Sequence, residues 1–136
     1  MNDDRSRRKV GLAPILSVRR GAEAVSFYKD AFGAAELLRV DGDDGAVVAR
    51  LSVEGAEFWV ADESPAHQNY SPEELGGGTV RLLLMVDDPA AAFERAIAAG
   101  AASISPVSDQ HGWRFGRVVD PFGHHWEIGR ELSESP

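Results

Sequence analysis

The chain has 136 residues, 14 basic and 22 acidic, a net charge of −8 and no cysteine. This excludes disulfides, thiol catalysis and cysteine-based zinc sites, and so acidic a chain argues against a nucleic-acid partner. No apolar run approaches the roughly 20 residues of a membrane-spanning helix, and the charged opening MNDDRSRRKVG leads into no apolar stretch that would make a secretory signal, so a cytoplasmic protein is expected.

Residues 1–10 hold Arg5, Arg7, Arg8 and Lys9 against Asp3 and Asp4 and read as a solvated tail. Residues 13–18 read as a strand. A helix follows over 22–32, with Val25, Tyr28 and Phe32 at helical spacing and Gly33 where a helix stops. Three strands are predicted next, at 36–40, 46–53 and 56–61, the second entered through the turn signal Asp41-Gly42-Asp43-Asp44-Gly45. Residues 62–78 are polar and carry three consecutive glycines. They read as a linker with one helical turn near 72–75.

The pattern then repeats. A strand is predicted over 80–86. Asp88 is a good N-cap and Pro89 a good first residue for a helix over 90–99. Strands follow at 102–107, 114–119 and 124–128. The order is β-α-β-β-β twice, and residues coincide at a shift of 67 or 68: Gly33-Ala34 with Gly100-Ala101, Val40 with Val107, Val18 with Val86, Gly55 with Gly123. An α+β fold of two βαβββ modules is expected, paired into a curved, half-open mixed sheet around a cavity. One domain is read over 11–130, with module one at 11–62, a linker at 63–78, module two at 79–130 and a tail at 131–136. The cavity is the expected ligand site.

The stretches Ala24-Val25-Ser26-Phe27-Tyr28, Ala31-Phe32-Gly33-Ala34, Val86-Asp87-Asp88 and Asp120-Pro121-Phe122-Gly123-His124-His125-Trp126-Glu127 carry a resemblance. The sequence resembles the vicinal oxygen chelate superfamily of glyoxalase I, bleomycin-resistance proteins and extradiol dioxygenases, in a glyoxalase-like branch with a DPFGHxW signature. The resemblance implies the paired βαβββ fold over about residues 11–130. It also implies four metal-ligand positions, two per module, which fall here on Ala13, Trp59, Arg81 and Glu127. The first and third are 68 apart, as are the second and fourth. A methyl group and an indole cannot coordinate a divalent ion, and a guanidinium repels one. No metal and no other cofactor is expected.

Arg81 is expected to pair with Glu127, either as a structural ion pair or as a ligand anchor. Trp59 offers a flat wall, and Trp113 and Phe115 are placed near the other end or the rim of the cavity, Trp113 in a loop. Trp126 alternates away from Glu127 and is expected in the core. His124 and His125 point to opposite faces, and only His125 shares a face with Glu127. A non-standard metal site from His125, Glu127 and Glu57 is an alternative. The leading functional reading is a metal-independent small-molecule binding protein resembling bleomycin-resistance proteins. A cationic or aromatic ligand is expected. Acidic Asp41, Asp43, Asp44, Glu73 and Glu74 either favour such a cation or simply serve solubility, and Trp59, Arg81, His125, Glu127, Trp113 and Phe115 contribute to the site. The alternative is a glyoxalase-like isomerase, lyase or dioxygenase in which Glu127 is the catalytic base. A homodimer is expected, since open sheet edges invite pairing.

Overall fold

Twice along the chain, a strand feeds a helix and then three more strands. In the computed structural model, which describes residues 9–132, the elements are β1 (Ile15–Val18), α1 (Gly21–Phe32), β2 (Ala35–Asp41), β3 (Val47–Val53), β4 (Ala56–Asp62), a 3-10 turn (Pro65–His67), α2 (Pro72–Leu75), β5 (Arg81–Met85), α3 (Pro89–Ala99), β6 (Ala102–Gln110), β7 (Trp113–Val119) and β8 (His125–Glu131). Most of the expected basic tail at 1–10 lies outside the described residues, as do residues 133–136. The last strand runs past the expected boundary, to Glu131.

The strands form two open four-stranded sheets, β1-β4-β3-β2 and β5-β8-β7-β6. In each, the first strand is parallel to the last and the other pairs are antiparallel, so both are mixed. Register reproduces the repeat. Ile15 lies opposite Trp59 and Leu83 opposite Glu127, while Arg50 lies opposite Trp59 and Arg117 opposite Glu127.

The helices begin and end where local chemistry dictates. Asp88 accepts the Ala91 backbone N–H at 3.1 Å and Pro89 opens α3, satisfying one of the free N–H groups of the first turn. At the end of α1, Gly33 takes φ = 70° and donates its N–H to Lys29, a left-handed cap that glycine adopts without a Cβ penalty.

The face of α1 carrying Ala24, Val25, Tyr28, Ala31 and Phe32 is buried at i, i+3, i+4 spacing. It meets Val18, Val47, Ala49, Leu51, Phe58 and Val60 of the first sheet in the core. The helices also meet across the modules, where Arg95 of α3 donates to the Asp30 carbonyl of α1 at 2.8 Å. Aromatic rings carry the core from one module to the other. Trp126 lies 4.6 Å from Phe32, 5.6 Å from Tyr28 and 5.4 Å from Phe58, centroid to centroid. Trp126 is therefore core, as its alternation predicts.

Asp120 sits at the centre of this junction and is buried. Its Oδ1 accepts the backbone N–H groups of Phe122 and His124, and its Oδ2 accepts the Tyr28 hydroxyl and the Trp126 indole N–H. One carboxylate thus shapes the β7–β8 turn and ties it to α1 of the other module. Burial, and then the Asp120 charge, push the Tyr28 hydroxyl well above its ordinary pKa.

Candidate functional site

With helices on one side, the opposite face of the second sheet is left to hold the charged groups. Buried Leu84, Val118, Trp126 and Ile128 mark the helix side. Strand alternation then assigns Arg81, Leu83, His125, Glu127, Trp113, Phe115 and Arg117 to the open side. Trp113 is the first residue of β7 rather than part of a loop, and it is half-buried. Strand β7 begins one residue earlier than the expected 114, because Trp113 pairs across to both Gln110 and Glu131.

Register decides which of these side chains meet. Arg117 stands directly across from Glu127 and sends both Nη2 (2.9 Å) and Nε (3.3 Å) to its Oε2. Arg81, opposite His125 on β5, brings Nε to 3.7 Å from the same oxygen. The Arg117, Glu127 and Arg81 side chains are 27%, 18% and 57% exposed. The close partner of Glu127 is therefore Arg117, and Arg81 is the outer one. Its approach is too long for a hydrogen bond, so Arg81 and Glu127 form a loose ion pair without a two-point fork. Sequence reasoning missed Arg117, although a signal was present. It is two and four residues from Phe115 and Trp113 on the same strand face, and the 67-residue shift makes it the counterpart of Arg50.

A cavity of about 710 Å³ opens between β1 and the β5–β8 edge, under the linker. Ile15 and Ser17 line it from β1, Tyr70 and Leu75 from the linker, and Arg81, Arg117 and His125 from the second sheet. The Nδ1 atom of His125 is buried with no hydrogen-bond partner among the described residues. His124 spans the modules, its Nε2 lying 2.9 Å from the Ser17 carbonyl oxygen. That bond fixes the start of β8 against β1.

Trp59 lies elsewhere. It shares the open face of the first sheet with Ile15 and Arg50 and lines a separate depression with Leu12, Ala13 and Glu57. Neither Trp59, Trp113 nor Phe115 lines the cavity that holds Arg81. Glu57 is held by Arg50 in a two-point fork at 2.9 and 3.2 Å. Those hydrogen bonds keep its carboxyl below the ordinary value.

A metal site of the kind the resemblance implies does not fit these residues. The methyl of Ala13 and the indole of Trp59 donate no lone pair, Arg81 brings positive charge, and the Glu127 carboxylate is already engaged by guanidinium. Glu57 is held by Arg50 and lines a cavity that neither His125 nor Glu127 lines. No group of three His, Asp or Glu side chains converges to hold an ion among the described residues. Nor is any helix of the described residues long and apolar enough to cross a membrane.

Comparison with known proteins agrees with this architecture. The Mycobacterium bovis protein Mb0911c is 41% identical over 128 residues, covering 90% of this chain and 84% of its own length. The structure of the Arabidopsis thaliana gene product At5g48480 superposes with a TM-score of 0.70 at 30% identity, over 90% of this chain and 100% of that one. TioX from Micromonospora sp. ML1 superposes with a TM-score of 0.67 at 28% identity, over 93% of this chain and 100% of its own. The family model matches residues 11–128, and the chain belongs to the Glyoxalase/Bleomycin resistance protein/Dioxygenase superfamily.

Proposed function

We propose that the protein is a metal-independent binding protein for a small organic molecule, similar in mode to bleomycin-resistance proteins and belonging to the glyoxalase-like branch marked by its DPFGHxW signature. The ligand occupies the cavity between the two modules. The observation that carries this reading is the replacement of a metal-ligand set by an Arg117–Glu127–Arg81 cluster beside a cavity of about 710 Å³, a volume within the range of small-molecule sites. Arg81 and His125 reach the ligand directly. Trp113 and Phe115 extend the same sheet face beyond Arg117, and Trp59 walls the corresponding face of the first module.

Metal analysis of purified protein tests the reading, because a stoichiometric divalent ion lost on Glu127→Gln would overturn it. A second reading makes Glu127 the base of a metal-free isomerase, lyase or dioxygenase reaction. It is favoured by Glu127 Oε1, which accepts no hydrogen bond among the described residues while Oε2 holds both arginines.

We also propose a cytoplasmic homodimer. Ile15, Leu83 and Met85 expose apolar surface on the open faces, and such surface is costly to leave in water. Light scattering on the purified chain would show a dimer, and a monomer at all concentrations would refute it.

A further inference from the structure

The charge lining the cavity is opposite in sign to that of the whole molecule. The chain carries −8, yet the cavity wall contains Arg81, Arg117, His124 and His125 and no aspartate or glutamate. The acids that would favour a cation lie elsewhere or are already paired. Asp41, Asp43 and Asp44 sit at the β2–β3 turn. In α2 beside the cavity, Glu74 meets Arg19 at 3.0 Å and Glu73 meets Arg20 at 3.6 Å. Exposed charges more than about 8 Å apart are largely screened at physiological salt, so the local groups set the potential a ligand meets.

Glu127 is the carboxylate that meets these arginines, and it offsets only one of the two guanidiniums. Its Oε2 takes both hydrogen bonds from Arg117 and the looser approach of Arg81. The cluster therefore keeps one net positive charge. The surplus sits on Arg81, whose guanidinium makes no hydrogen bond among the described residues while lining the cavity. A planar fork of donors with no protein acceptor matches a carboxylate, phosphate or phosphonate in two-point geometry. Ile15 of β1 and Tyr70 and Leu75 of the linker give the same cavity an apolar wall.

Resting on the small-molecule reading above, we infer that the ligand is an organic oxyanion, with its anionic head on Arg81 and an apolar body against β1 and the linker. The cation expected from the acidic loops is replaced by an anion.

Four probes of similar size separate the outcomes: benzoate, phenylphosphonate, benzamide and benzylamine, each titrated by calorimetry and thermal shift into the full chain and into Arg81→Ala and Arg81→Lys. Benzoate or phenylphosphonate should bind saturably, weaken about tenfold or more in Arg81→Ala, recover part of the loss in Arg81→Lys, and weaken with added salt. The stronger of the two identifies the head group. Equal or tighter binding of benzylamine or benzamide overturns the oxyanion inference and leaves the binding-protein reading intact. Equal anion binding by wild type and Arg81→Ala also overturns it. Saturable binding by none of the four at millimolar concentration overturns both readings. Because Arg81 is mostly exposed and makes no hydrogen bond, its variants should melt close to wild type, so lost binding will not reflect lost folding.

Discussion

Removing the Asp120 carboxylate should cost the protein a large part of its stability, and the structure allows the cost to be worked through. Asp120 is 3% exposed and accepts four hydrogen bonds, from Tyr28 Oη (2.5 Å), Trp126 Nε1 (2.9 Å), Phe122 N (2.9 Å) and His124 N (3.0 Å). In Asp120→Ala the Tyr28 hydroxyl and the indole N–H lose their acceptor inside the aromatic core. At about 1–3 kcal/mol for each unsatisfied buried donor, and with two backbone N–H groups also released, the loss should reach about 4 kcal/mol or more. That is a large share of a typical stability of about 5–15 kcal/mol. Tyr28→Phe removes one donor and leaves Trp126 on Oδ2, so about 1–2 kcal/mol should go. In the Asp120→Ala background the sign reverses, because Tyr28→Phe there removes a stranded hydroxyl and should stabilise. Urea unfolding followed by circular dichroism gives all four corners of this cycle. Asp120→Ala within about 1 kcal/mol of wild type, or additive effects of the two changes, would refute the shared network. The same contacts predict an alkaline limb. The Tyr28 pKa is raised in the fold from about 10, so its contribution is intact below that value. As pH rises further, the unfolded chain deprotonates first and stability falls by about 1.4 kcal/mol per pH unit. Tyr28→Phe should flatten that limb.

Other consequences follow from single contacts. Glu63 Oε1 accepts from the Ser71 hydroxyl (2.6 Å) and N–H (3.1 Å), which with Arg19 hold its carboxyl below the ordinary 4.5. The stability from this contact is present above that value and lost as pH falls through the lower folded one, so Ser71→Ala should reduce the acid sensitivity of the melting temperature. Gly129→Ala should destabilise by about 1–3 kcal/mol in urea unfolding, since a Cβ there would stand 2.5 Å from both the Arg114 carbonyl oxygen and Phe115 Cβ. Arg117→Ala should lower the melting temperature more than Arg81→Ala does, because it leaves Glu127 with only the distant guanidinium; equal shifts would contradict the ranking. Leu83→Asp, on the exposed open face, should yield a monomer by light scattering with its circular dichroism unchanged.

The element order was legible because apolar periodicity, Asp88-Pro89 and the helix-stopping glycines are local signals, each acting within a few residues. The repeat was legible too, since its shift of 67 to 68 residues is the shift that register imposes on paired strands. The cavity was less so. Whether Trp59 and Arg81 line one space depends on how two separate sheets sit together, and no local pattern encodes that angle. The roles of Asp120 and His124 were hidden for the same reason. Half the hydrogen bonds of Asp120 go to Tyr28, in the other module, and to Trp126, and neither partner adjoins it in sequence. His124 bonds to Ser17 of β1, 107 residues away.

The two modules also show how one repeated arrangement can yield one face with surplus positive charge and one whose charges are paired off. Arg50 and Arg117 hold matching strand positions, opposite Trp59 and Glu127 respectively. In the first module the facing residue is an indole that can accept no ion pair. Arg50 therefore reaches diagonally across to Glu57, two positions from Trp59 on β4, and the pair is spent on the exposed surface. In the second module the carboxylate stands directly opposite, so Arg117 points across the sheet toward β8, where Arg81 of β5 approaches the same oxygen. The position matching Glu57 is His125, which brings no negative charge and leaves the second guanidinium uncompensated. A single exchange at the position shared by Trp59 and Glu127 thus redirects the neighbouring arginine and decides which module presents positive charge to a ligand. Trp59→Glu should draw Arg50 from Glu57 to the directly opposite position, and a double-mutant cycle of that change with Arg50→Ala would detect the new coupling.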